Sequence, residues 1–162
     1  MTLLRLCQWL NDTSCSTALR ESPWDYYILG AFHILGIGLF GGVVLLGDLR
    51  LLGIALRRVR VSQVLDRFRP WKSAGFGVVF ASGVLLALSE PLDCYHSRCF
   101  WASLLLLALF GANALVFRFG IYRSVTAWDE ASSAPAAAQW AAGISLLLLA
   151  ALVIAGRGIA FL

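Results

Sequence analysis

The chain has 162 residues, 60% of them hydrophobic and only 14% charged, with a mean hydropathy of +0.80. A soluble domain carries roughly a quarter charged and about half apolar residues, so this composition excludes an ordinary water-soluble globule. The net charge of +4 comes from basic residues sorted into particular loops, a pattern that argues against a nucleic-acid surface.

The chain starts "MTLLRLCQWL". Its apolar run is short, is interrupted by Gln8 and Trp9, and lacks a small-residue cleavage pattern, so a signal peptide is not expected. Leu3, Leu6, Cys7 and Leu10 share one helical face with Arg5 off it, which predicts a short helix on the membrane surface; a frayed terminus is the alternative.

A helix needs about 20 mainly apolar residues to cross the hydrocarbon core. Four segments meet or approach this, at about residues 26–47, 71–89, 100–117 and 136–156. The expected fold is an all-α integral membrane protein, one domain over 1–162, built as an antiparallel bundle of four transmembrane helices with an N-terminal interfacial helix.

The first span contains "HILGIGLFGGVVLLGDLRLLG", in which His33 opens and Asp48 and Arg50 close a glycine-rich run. Small residues mark close helix contacts in lipid, and Gly38 and Gly42 have small-xxx-small spacing. The rival role for this glycine face is to seat a planar cofactor. An ionisable group inside a span is a functional candidate by default. His33 is therefore a candidate haem or quinone contact, a helix-packing residue, or part of a metal path. The only other histidine is His96 and the only methionine is Met1, which makes a two-histidine haem within one bundle hard to build.

The 50–70 loop holds Arg50, Arg57, Arg58, Arg60, Arg67 and Arg69, with Val59, Val61, Val64, Leu65 and Phe68 in a helical rhythm. This predicts a separate basic interfacial helix touching anionic lipid. Lys72 can snorkel at the start of the second span, where Gly75, Gly77, Ser82 and Gly83 follow. The next loop carries "DCYHSRC". Cys7, Cys15, Cys94 and Cys99 all fall on one side of the membrane, which makes them disulfide candidates in an oxidising compartment. Cys94 could join Cys99, or one of the two could bond Cys7 or Cys15. The metal alternative uses Cys94, His96 and Cys99 as soft ligands for Cu(I).

In the third span, Asn113 is a candidate helix-to-helix amide contact, with Arg118 near its end. Asp48 is placed at a similar depth, so Asp48, Arg50, Asn113 and Arg118 form a candidate polar clasp; a proton path through Asp48 is its rival. Pro135 can open the fourth helix after the turn at Asp129 and Glu130. No internal repeat is visible. Nine basic residues on the 50–70 and 118–135 sides against four on the other (Arg5, Arg20, Arg98 and Arg157) predict that both termini face out.

The segments "STALRESPWDYYILGAFHILGIGLFGGVVLLGDLRLLG", "RPWKSAGFGVVFASGVLLALSEP" and "CFWASLLLLALFGANALVF" resemble a family of small bacterial inner-membrane proteins of unknown function. Its helices are similar to those of the copper-resistance CopD proteins. The resemblance covers about residues 16–120 and implies this fold and an inner-membrane address, with no established activity. His33 and Asp48 are the matching positions; relatives often carry a histidine where this chain has Arg118.

No nucleophile–base pair, phosphate-binding glycine loop or carboxylate dyad is present, so a non-enzymatic role is expected. The leading expectation is metal (copper) or redox handling at the outer face. The others are a haem- or quinone-binding subunit of an electron-transfer complex, and a purely structural subunit of a larger assembly. Haem, quinone and copper are the candidate cofactors, with none expected within the chain itself. The expected partners are the lipid bilayer, other membrane subunits or a second copy, and no nucleic acid.

Overall fold

The computed structural model describes residues 3–22, 24–131 and 133–159, apart from the side chain of Cys15. The described residues are helical with no strand. Two short helices, α1 (Leu3–Asn11) and α2 (Ser14–Glu21), precede the first long helix, α3 (Asp25–Leu51). Then come α4 (Val61–Ser89), the short α5 (Pro91–His96), α6 (Arg98–Phe119), a 3₁₀ segment over Ile121–Ala127, and α7 (Ala136–Ile159). Four of these helices are long and apolar enough to cross a membrane. Large side chains such as Val116, Leu147 and Ile154 lie exposed on their outer surfaces, as an apolar solvent requires. The chain is a multi-pass membrane protein.

The long helices form two antiparallel hairpins, α3 with α4 and α6 with α7, joined by a smaller seam between α3 and α7. Glycine makes the first hairpin tight. A β-carbon at Gly36 would lie 2.9 Å from Val78, and one at Gly75 would lie 2.9 Å from the Phe40 backbone nitrogen. Phe40 also meets Phe110 of α6, their ring centroids 5.8 Å apart. The fully buried apolar core sits at one end of the bundle, around Leu51, Val61, Ala134, Ala138 and Ala142.

That core explains one departure from the sequence reading. The basic, amphipathic stretch of the 50–70 region is the first part of α4 and not a separate helix. Val61 and Val64 are buried, so the arginines ride on a helix whose apolar face is already committed. Pro70 lies inside α4; it removes one hydrogen bond, and its fixed φ suits the helical backbone.

The start of α4 is capped from a distant part of the chain. Asp129 accepts from the Ser62 amide at 2.7 Å and from the Ser62 hydroxyl at 2.6 Å. The Val61 amide donates to the Asp129 carbonyl at 3.2 Å. Partial burial raises the carboxyl pKa, but the Ser62 hydrogen bonds and the Arg60 and Arg50 charges outweigh it and hold Asp129 below its ordinary 3.8. A depressed folded-state value contributes stability above pH 4, and this is lost as the pH falls through the folded value. Asp129→Ala should cost about 1 kcal/mol, as for a lost N-cap. In detergent melts at pH 7 and pH 3, the gap between variant and wild type should shrink at the lower pH; an equal gap would remove the charge from the account.

Candidate functional site

The polar groups of the bundle fall into three places, one of which lies on the α3–α4 hairpin. His33 Nδ1 is 2.8 Å from Ser82 Oγ, and the buried Ser82 hydroxyl is 2.5 Å from the Val78 carbonyl. A hydroxyl has one proton to give. With that proton on Val78, Ser82 accepts from His33 Nδ1–H, and the backbone of Val79 is a further hydrogen-bonding neighbour of the ring. Gly83 makes room for the ring, since a β-carbon there would lie 3.2 Å from His33 Cε1. Of the glycines one turn from His33 on α3, Gly36 is taken up by helix contact, its space filled by Val78 and Val79, whereas nothing lies within 4 Å of a β-carbon at Gly30. Packing thus fills the glycine face on one side of His33 and leaves it open on the other. Gly38 and Gly42 differ from the expected helix contact. Nothing lies within 4 Å of a β-carbon at either position, so this small-xxx-small pair faces outward and serves no contact within the chain.

The second place is the end rich in arginine. The expected pairing of Asp48 with Arg50 or Arg118 is not formed; the salt bridge found among the described residues is Arg60–Glu130, at 2.6 Å. Residues two apart on a helix do not face each other, so Arg50 points away from Asp48. Its Nε donates to the Val59 carbonyl at 2.7 Å and its Nη2 to the Ala131 carbonyl at 3.3 Å. Arg118 instead lies over the ring of Tyr122, 4.8 Å from its centroid. Asp48 is buried in the seam with Oδ2 unpaired. Ser145 of α7 is its hydrogen-bonding neighbour, and Lys72 of α4 is the cation whose charge acts on it. Asn113 fulfils the expected amide contact by donating to the Ala141 carbonyl of α7 at 2.9 Å.

The third place is the opposite end. Cys7, Cys94 and Cys99 are free thiols, so the expected disulfides among them are not present; the side chain of Cys15 lies outside the described residues. The six-residue ring from Cys94 to Cys99 does not close because Ser97 caps α6, accepting from the Phe100 amide at 3.3 Å. The two cysteines then sit on different helices with different neighbours. Cys99 meets α7, where a β-carbon on Gly158 would lie 2.9 Å from its sulfur. Cys94 meets α1, and it shares with Cys7 an apolar groove of about 260 Å³ walled by Leu3, Leu10, Val84 and Trp101. Burial first, then the charges of Glu90 and Asp93 and the nearby Cys7, push the Cys94 thiol up to about 11. His96 turns Nδ1 to the Leu92 carbonyl at 2.8 Å. Among the described residues no three His, Cys, Asp or Glu side chains are grouped to hold a metal, so Cys94, His96 and Cys99 are not brought together.

Ser82, Ser145 and Lys72 are the neighbours of His33 and Asp48 that sequence reading missed. A hydroxyl opposite a buried ionisable group was the available signal. It needed the helix register to be read.

Residues 25–162 match a family of unknown function, DUF6644. The chain belongs to this family. The matched segment contains all four long helices, with His33, Asp48, Arg50, Cys94 and Cys99, and leaves out α1 and α2. No curated protein and no solved structure matches the chain.

Proposed function

We propose that this DUF6644 member is a non-enzymatic protein of the bacterial inner membrane that handles a soft metal ion, Cu(I), at its outer face. The observation that carries this reading is the pair of free thiols, Cys7 and Cys94, sharing one groove at the end away from the arginines. Soft thiolate ligands select Cu(I). A thiol held near 11 carries little thiolate at neutral pH, which slows thiol–disulfide exchange. A soft metal takes the same thiol by displacing its proton. The resemblance of the family's helices to those of CopD proteins points the same way, and the sorting of nine basic residues against four supports an outward groove.

A second reading, haem or quinone contact through His33, is favoured by one observation. Nδ1 is oriented by Ser82, and a ring nitrogen oriented in this way is what leaves the other to serve as an axial ligand.

One set of measurements separates the readings. Purified protein titrated anaerobically with Cu(I) against a competing chelator should bind it stoichiometrically. Cys7→Ser and Cys94→Ser should each lose that binding, and Cys99→Ser should keep it. Binding that survives both substitutions overturns the proposal. An absorption band that depends on His33 would put the second reading in its place, and a colourless protein without metal affinity would leave a structural subunit.

A further inference from the structure

The arginine end contains a pocket of about 250 Å³ lined by Arg50, Arg57, Arg58, Val59, Arg60 and Glu130. Arg50 forms its buried wall at 1% exposure, while Arg57, Arg58 and Arg60 stand exposed around it. A guanidinium has five N–H donors. Arg50 spends Nε on Val59 and Nη2 on Ala131, and Nη1 is buried with no partner. An unmet buried donor is costly, and more so when charged. The only carboxylate in the lining is Glu130, which is engaged by Arg60. Nearby Asp129 is taken up by Ser62. The pocket thus keeps a large excess of positive charge with one buried, unspent donor group. Its rim is held by a backbone that few residues adopt, with φ of 53° at Leu56 just before Arg57 and Arg58.

We propose that this pocket binds a phosphate group, with Arg50 as the fixed donor and Arg57 and Arg58 closing on it. Planar guanidinium forks match phosphate oxygens in pairs. The pocket sits where α3 ends and α4 begins, so the phosphate arrives either on a lipid headgroup or free from the aqueous side. The site is independent of the thiol groove, which lies at the other end of the bundle.

The test uses the full chain in detergent, titrated separately with inorganic phosphate and with short-chain phosphatidylglycerol, and read by calorimetry and thermal shift. The double variant Arg57→Gln/Arg58→Gln should weaken binding about tenfold or more for each arginine removed. The double variant Arg67→Gln/Arg69→Gln, which changes arginines outside the pocket, should bind as wild type. Binding of both probes identifies free phosphate as a sufficient ligand, and binding of the lipid alone identifies a headgroup site. Failure of both probes to bind wild type, or an equal loss in the two double variants, overturns the proposal.

Discussion

Gly75→Ala should loosen the α3–α4 hairpin, although it adds a single methyl group and improves helix propensity. The new carbon would lie 2.9, 3.0 and 3.1 Å from the nitrogen, Cα and Cβ of Phe40. Two of those atoms are backbone, so no side chain can rotate away and the helices must part. Overpacking of this kind costs about 1–3 kcal/mol, against up to about 1 kcal/mol gained from replacing a helical glycine. The informative control is Gly42→Ala on the same hairpin, where nothing lies within 4 Å and only the propensity gain remains. Unfolding titrations in mixed detergent should order the proteins as Gly42→Ala, wild type, then Gly75→Ala. If the two variants are equally stable, the close approach of the helices is wrong.

A larger loss is expected from Arg50→Met. The side chain ties the end of α3 to the backbone at Val59, and through Ala131 to the segment that precedes α7. Hydrogen bonds from a charged donor contribute roughly 1.5–3 kcal/mol each; with one of the two stretched to 3.3 Å, a loss on the order of 3 kcal/mol follows. Arg50→Lys keeps the charge but lacks the planar fork, so it should recover only a minor part. Hydrogen exchange should localise the damage to residues 54–61 and 129–134. Unchanged protection there would show that Arg50 does not staple these loops.

The four spans were legible because about 20 apolar residues in a row leave little choice of structure. Their ends on the arginine-rich side were less so. α4 starts about ten residues before the apolar run does, because Val61 and Val64 find a buried surface that only the folded chain provides. The short helices α2 and α5 have 8 and 6 residues. At that length local pattern carries little signal, and capping by Thr13 or tertiary contact decides. The polar contacts split in the same way. Asn113 was readable as a helix contact from its depth alone. Asp48 was readable as a buried group in need of a partner, but depth favoured an arginine, whereas Ser145 and Lys72 are its neighbours. Depth is a one-dimensional coordinate, and the choice of partner depends on rotation about each helix axis. Cys94 and Cys99 were misjudged for the same reason, since a cap at Ser97 turns neighbouring thiols toward different helices.

Each of the three main helix interfaces contains an interior polar contact. His33 meets Ser82 between α3 and α4, Asn113 meets Ala141 between α6 and α7, and Asp48 lies beside Ser145 between α3 and α7. Such contacts average only about 0.6 kcal/mol in membranes, too little to explain why the bundle holds. Their effect is on alignment. Lipid offers greasy helices many sliding positions of similar energy, but a slip of one turn, about 5.4 Å, would strand a polar group in hydrocarbon. Three such pins, one in each interface, leave the four rods a single common register.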